Sequence, residues 1–180
     1  MISWSSACDT HPGNCREHNE DAVLSLTGSA FWLVADGMGG HQDGDYASEA
    51  SVQSLAEVTL TGDLSDCVDA VEDRLLDVND HLRHHARIQC EGRTVGSTVV
   101  LMLARGDVGV ALWAGDSRLY RVRNRQIELI TRDHNPISDM LDVGGVTEAE
   151  ALAADTHIVT RAVGGQRELH LDIAVFDIEM

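Results

Sequence analysis

The stretch Ala30-Phe31-Trp32-Leu33-Val34-Ala35-Asp36-Gly37-Met38-Gly39-Gly40-His41 joins a continuous apolar run to a carboxylate and a glycine-rich exit. An apolar run of strand length bounded by turn signals reads as a buried central strand, and the pattern ends it at Asp36. A carboxylate at that place has a specific use. With no side chains in the way, the backbone can turn so that a carbonyl, here that of Gly37, faces the same cation as the Asp36 carboxylate. Hard cations such as Mg²⁺ and Mn²⁺ take oxygen ligands of this kind. An ordinary Asp-Gly turn after a strand has the same local sequence, so by itself the stretch only nominates the chemistry.

Upstream of it, Ile2, Trp4 and Ser6 alternate with smaller residues and suggest a first edge strand. A polar loop with a Pro12-Gly13 turn then leads into a strand at Ala22 to Leu26. Downstream, Ala47, Ala50, Ser54, Leu55 and Val58 recur at helical spacing, and Cys67, Val68, Val71, Leu75, Val78 and Leu82 mark one face of a second helix. The period then changes to strands at Ser97 to Ala104, Val108 to Ala114, Arg118 to Val122 and Gln126 to Ile130. Asn135-Pro136 reads as the start of a loop, and Thr147-Glu148-Ala149-Glu150 as the capping box of a short helix through Leu152. Leu169, Leu171, Ile173 and Val175 alternate into a last strand. The expectation is an α+β domain with antiparallel sheets covered by helices, and 180 residues fit a single domain, 1–180.

Thirty acidic residues stand against thirteen basic ones, for a net charge of −17, and every basic residue is arginine. That balance argues against a nucleic-acid partner, whose phosphates need a positive footprint, and the absence of lysine excludes Schiff-base and P-loop lysine chemistry. No apolar run reaches the length of a membrane span and the first residues do not form a signal peptide, so the expected location is cytoplasmic. Cys8, Cys15, Cys67 and Cys90 form no CxxC pair and read as buried or free thiols, with a disulfide framework or a structural zinc site as alternatives. His81, His84 and His85 share a helix face and could take a metal, although surface histidines near a helix C-terminus are favoured by the dipole alone. Arg118, Arg121, Arg123, Arg125 and Arg132 read as charge balance.

Several blocks recur in a telling order. Arg16-x-x-Asn19-Glu20-Asp21 is followed by Val34 to His41 with Gly44 and Ala47-Ser48, then Gly96-Ser97-Thr98, Ala114-Gly115-Asp116-Ser117-Arg118 and Thr131-Arg132-Asp133-His134. Together they resemble the bacterial branch of the metal-dependent protein phosphatases, the protein phosphatase 2C family. Leu141 to Val146, Thr147 to Glu150 and Thr160 to Gly164 are similar to its flap and the stretch after it. The resemblance implies a four-layer sandwich of two antiparallel β-sheets flanked by α-helices, and hydrolysis of phosphoserine and phosphothreonine with two Mn²⁺ or Mg²⁺ ions and a third, weaker one. It further implies that Asp36 bridges two metals and the Gly37 carbonyl binds one of them. Asp116 would help hold the third, Glu20 and Asp21 would accept hydrogen bonds from water around the pair, and Arg16 would grip the substrate phosphate. Two close divalent cations acidify water and neutralise phosphoryl charge, and the planar arginine fork suits a phosphate. Met38 stands where animal relatives carry a histidine credited with proton transfer, so the resemblance names no general acid, and His41 is a weaker candidate.

The implied partners are phosphorylated proteins, including a serine/threonine kinase or its targets. Family members continue past a strand like Leu169 to Phe176 into a Ser-Asp-Gly block and an Asp-Asn pair, whose aspartates complete the metal site, and the 180 residues contain neither block. The expectation is therefore a domain truncated at its C-terminus. It is read first as part of a phosphatase and alternatively as a pseudophosphatase that binds or regulates phosphoproteins.

Overall fold

The computed structural model describes residues 2–14, 18–39, 42–142, 144, 147 and 158–178. A five-stranded antiparallel sheet forms its centre, in the order β1 (Asp21–Leu26), β2 (Phe31–Met38), β3 (Gly96–Arg105), β4 (Val108–Ala114) and β7 (Asp172–Asp177). A second, two-stranded antiparallel sheet pairs β5 (Tyr120–Arg123) with β6 (Gln126–Leu129). Helices α1 (Gln42–Ala56) and α2 (Leu64–Gln89) lie between β2 and β3 in the chain, and the short α3 (Pro136–Asp142) follows β6. The expected α+β class and the two antiparallel sheets are present.

Strand alternation sorts the central sheet into two faces. Phe31, Leu33 and Ala35, with Val99, Leu101, Val110 and Leu112, pack in one cluster with Leu55, Val71, Leu75 and Leu82 of the two helices. The α2 residues in that cluster fall three and four apart, as the sequence pattern requires. On the opposite face Val100, Ala111 and Trp113 pack with Leu119, Ile130, Ala174 and Phe176. Helices therefore cover one face of the sheet, and the segments flanking the β5–β6 hairpin lie on the other. No described helix is long and apolar enough to cross a membrane.

Three local expectations need correction. Residues 2–14 form no strand; Trp4 instead sets its ring against Trp32, edge to face, at a centroid distance of 5.2 Å. Strand β2 does not end at Asp36 but runs through Met38, because Asp36 and Gly37 remain in register with Thr98 and Ser97. The expected second helix is present as α2, and its start is set by a capping box of Asp63 and Asp66, with reciprocal bonds of 3.0 and 2.9 Å between side chains and backbone amides. Asn135-Pro136 opens α3 rather than a loop. The Asn135 carboxamide accepts from the Ser138 amide at 2.8 Å, and proline suits the first helical position. The helix expected at Thr147 to Leu152 and the flap around it fall largely outside the described residues.

One buried polar contact ties the helical layer to the segment before β7. Asn79, 2 % exposed in the middle of α2, accepts a 2.9 Å hydrogen bond from the Gly164 amide. Just ahead of it, Val163 pairs through its backbone with Ser97 at the start of β3. Asn79→Ala strands the Gly164 N–H in the interior, so it should lower unfolding free energy by about 1–3 kcal/mol, read as a lowered urea midpoint with an unchanged slope.

Candidate metal centre

Antiparallel pairing brings the acids together. Strand β1 starts at Asp21, β2 nears its end at Asp36, β4 ends just before Asp116, and β7 starts at Asp172. All four therefore lie at one end of the central sheet. Asp21 and Asp36 are direct partners in the β1–β2 register, which puts their side chains on the same face about 4.5–5.5 Å apart at Cβ. By alternation that face is the one carrying Trp32 and Val34, away from the helices. Like charges placed directly opposite one another are destabilising, and a cation shared between them removes the penalty.

Gly37 occupies the other face, and there space is the constraint. A Cβ at this position would stand 2.1 Å from the Gly44 carbonyl oxygen and 2.7 Å from the Glu20 carbonyl oxygen. The Gly37 amide donates to that same Glu20 oxygen at 3.0 Å. Gly44, in the first turn of α1, is just as tightly placed, since a Cβ there would meet the Glu20 carboxyl group at 2.8 Å. Two glycines thus let β1, β2 and α1 converge until backbone touches backbone, with the Glu20 side chain against the start of the helix. Gly37 is needed for its lack of a side chain, not for an unusual backbone angle, since its φ is not positive.

A set of buried hydroxyl groups and one histidine holds the β3–β4 side. The Asp36 amide donates to Thr98 Oγ1 at 3.3 Å, Thr98 Oγ1 lies 2.7 Å from Ser117 Oγ, and Ser97 Oγ donates to the Asp36 carbonyl at 3.1 Å. Gly115, with φ of +120°, lies where a Cβ would meet Thr98 Cβ at 2.5 Å. His134, 3 % exposed, grips Gly115 twice: its Nδ1 accepts from the Gly115 amide at 3.0 Å, and its own amide donates to the Gly115 carbonyl at 2.9 Å. An accepting Nδ1 places the ring proton of neutral His134 on Nε2. That nitrogen sits 3.2 Å from Asp172 Oδ2, at an angle outside hydrogen-bond alignment, and Asp172 Oδ1 accepts from Arg161 at 2.7 Å. The backbone immediately before Asp116 is therefore fixed from β3, β7 and the segment after β6.

Glu20, Asp21, Asp36, Gly37 and Asp116 all fall at this end of the sheet, whereas Arg16 and His41 lie outside the described residues. Thr98, His134 and Asp172 are what residue-by-residue reading missed as supports; the blocks Gly96-Ser97-Thr98 and Thr131 to His134 were visible, without a role for either. The arginines expected to balance charge do pair locally. Arg118 makes two bonds to Asp133, at 2.8 and 2.6 Å, and with help from the Tyr120 hydroxyl this holds its guanidinium well above an already high ordinary pKa. Arg121 pairs with Glu128. A separate groove of about 480 Å³ runs between α1 and α2, lined in part by Tyr46, Glu49, Asp77 and His81, and includes none of the acids at the sheet end.

The donor set fits a hard cation. Every candidate ligand is oxygen, the carboxylates converge on one sheet end, and Gly37 is packed too closely for a side chain to stand there.

Comparison with known proteins agrees with this geometry. The family model for protein phosphatase 2C matches residues 15–161. The serine/threonine phosphatase stp of Listeria welshimeri is 29% identical over 175 residues, covering 92% of this chain and 69% of that protein. Among solved structures, PppA, a regulatory component of T6SS in Pseudomonas aeruginosa, is 39% identical with a TM-score of 0.84, covering 95% of this chain and 70% of that one. The catalytic domain of the serine/threonine protein phosphatase PstP, solved in complex with two manganese ions, is 27% identical with a TM-score of 0.77, covering 95% of this chain and 71% of that one. With the family model matched over most of its length and the carboxylates gathered at one sheet end, the chain belongs to the protein phosphatase 2C family, the metal-dependent serine/threonine protein phosphatases.

Proposed function

We propose that the protein removes phosphate from phosphoserine and phosphothreonine in cytoplasmic proteins, including targets of a serine/threonine kinase, with Asp36 as the central metal ligand. The observation that carries this reading is the direct opposition of Asp21 and Asp36 beside the backbone-packed Gly37. Asp36 and the Gly37 carbonyl would hold a pair of Mn²⁺ or Mg²⁺ ions, and Asp116 would contribute to a third, weaker site. When bound, the ions supply Lewis acidity that activates water and neutralises charge on the phosphoryl oxygens.

The chain's own residues do the rest. Glu20 and Asp21 accept hydrogen bonds from water at the site and orient it toward phosphorus. Arg16 binds the substrate phosphate through a planar, charge-assisted pair of N–H donors. Thr98 and Ser97 hold the Asp36 backbone, and His134 holds Gly115, so that Asp36 and Asp116 need little reorganisation when charge develops. No side-chain nucleophile is required when activated water attacks phosphorus directly.

Hydrolysis of p-nitrophenyl phosphate and of a phosphothreonine peptide should depend on added Mn²⁺. Asp36→Asn should lower kcat/KM by at least about 100-fold, and wild-type activity in that variant would overturn the assignment. Glu20→Gln should cost roughly 10–100-fold in metal affinity or rate, as expected of a group acting through the water around a metal. Gly37→Ala forces backbone apart rather than straining φ, and should destabilise the fold by about 1–3 kcal/mol while raising the Mn²⁺ concentration needed for half-maximal activity.

A further inference from the structure

The three histidines that share a face of α2 do not share a fate. His81 Nε2 lies 2.6 Å from the Tyr46 hydroxyl, and His84 Nδ1 lies 3.0 Å from the Arg87 guanidinium. Among the described residues, His85 alone of the three comes together with two other metal-ligating side chains. Its ring, Asp43 in the first turn of α1 and Cys90 at the C-cap of α2 place one ligand atom each within 4.8 Å of one another. These residues are 47 positions apart in the chain at the extreme, and nothing in the sequence pattern joins them.

The cluster is built rather than incidental. Cys90 is 3 % exposed and directs its sulphur at Asp43 Oδ1, 3.4 Å away. The second Asp43 oxygen faces Arg93 at 3.6 Å, so the carboxylate is held with one oxygen toward the thiol. Tyr46, one turn along α1, stacks on the His85 ring with centroids 4.2 Å apart, which limits how that ring turns. Cys90 is a free thiol, and its position at the end of a 26-residue helix favours positive charge.

We propose that Asp43, His85 and Cys90 bind a zinc-class divalent ion, at a site separate from the carboxylate end of the sheet. One sulphur, one imidazole nitrogen and one carboxylate oxygen are the donor types that zinc accepts, with three protein ligands leaving a fourth position to water. The oxygen-only set around Asp36 selects the harder Mn²⁺ and Mg²⁺ instead. Tetrahedral zinc with bonds of about 2.0–2.3 Å sets its ligand atoms roughly 3.5 Å apart, so small side-chain rotations close the cluster. Coordination requires the Cys90 thiolate, and the displaced proton passes to solvent.

The location gives the ion a consequence. Asp43 immediately precedes Gly44, whose carbonyl limits the space at Gly37, and a Cβ at Gly39 would meet Asp43 Cβ at 3.1 Å. An ion bound here ties the first turn of α1 to the end of α2 and braces the Gly44 backbone that packs against Gly37.

Cobalt(II) reports directly on thiolate coordination. Titrating metal-free protein with Co²⁺ should give an intense near-ultraviolet sulphur-to-cobalt band that saturates at one equivalent, is bleached by Zn²⁺ and resists Mn²⁺. The band should be absent in Cys90→Ala, and Co²⁺ affinity should fall at least about tenfold in His85→Gln and Asp43→Asn. It should be unchanged in Asp36→Asn, which separates this site from the catalytic one. Zn²⁺ should also raise the wild-type Tm and leave that of His85→Gln where it was. His85 is only half-buried, so that variant keeps the test informative if Cys90→Ala does not fold. A band that survives Cys90→Ala, an unchanged Co²⁺ affinity in His85→Gln, or Co²⁺ binding that Asp36→Asn abolishes would overturn the proposal.

Discussion

Three pieces of backbone meet at Gly37, and the rest of the site depends on their being able to touch. A methyl group there would occupy the space of the Gly44 carbonyl oxygen, 2.1 Å away, and crowd the Glu20 carbonyl at 2.7 Å. Because that contact admits no side chain, it fixes the register of β2 against β1 and the depth to which α1 can approach. A one-residue slip would put Asp36 on the crowded face and Gly37 on the open one. The register that the glycine enforces is the one that sets Asp21 opposite Asp36. Steric exclusion on one face of the sheet thus decides electrostatics on the other.

The far side of the site is held by hydrogen bonds instead. Thr98 ties Asp36 to Ser117, and His134 bonds twice to Gly115, with the Asp172 carboxylate and Arg161 behind it. Thr98, His134 and Gly115 are buried, and hydrogen bonds made there resist rearrangement because breaking one strands its partner in a low-dielectric interior. The arrangement suits a centre that must collect negative charge before a cation arrives. Carboxylates that would otherwise spread apart are carried on backbone that cannot yield.

The chain's large negative charge divides accordingly. Much of it lies along α1 and α2, where Asp69, Glu72, Asp73 and Asp77 fall outside the buried stripe of Val71, Leu75 and Val78. The arginines, by contrast, are engaged close to home, as in Arg118 with Asp133 and Arg121 with Glu128. Charge at the sheet end is a small part of the total and differs by being concentrated on facing strands.

Periodicity alone revealed the central strand, the buried stripe of α2 and the β3–β4 hairpin, because burial imposes spacings of two and of three to four that side-chain types record directly. The ordered blocks around Asp36 and Asp116 likewise pointed to the family and its chemistry. The sequence misled where contacts with other segments outweigh local pattern: Ile2 to Ala7 alternate yet form no strand, and β2 passes Asp36 because β3 continues to pair with it. His134 and Asp172 as supports for Gly115, and the meeting of Asp43, His85 and Cys90, were not legible at all. Residue types and their spacing determine which chemistry a chain can carry and which faces it must bury. Which distant side chains share a site depends on strand register and helix docking, interactions across dozens of residues that leave no period in the sequence, and only the tertiary structure decided those.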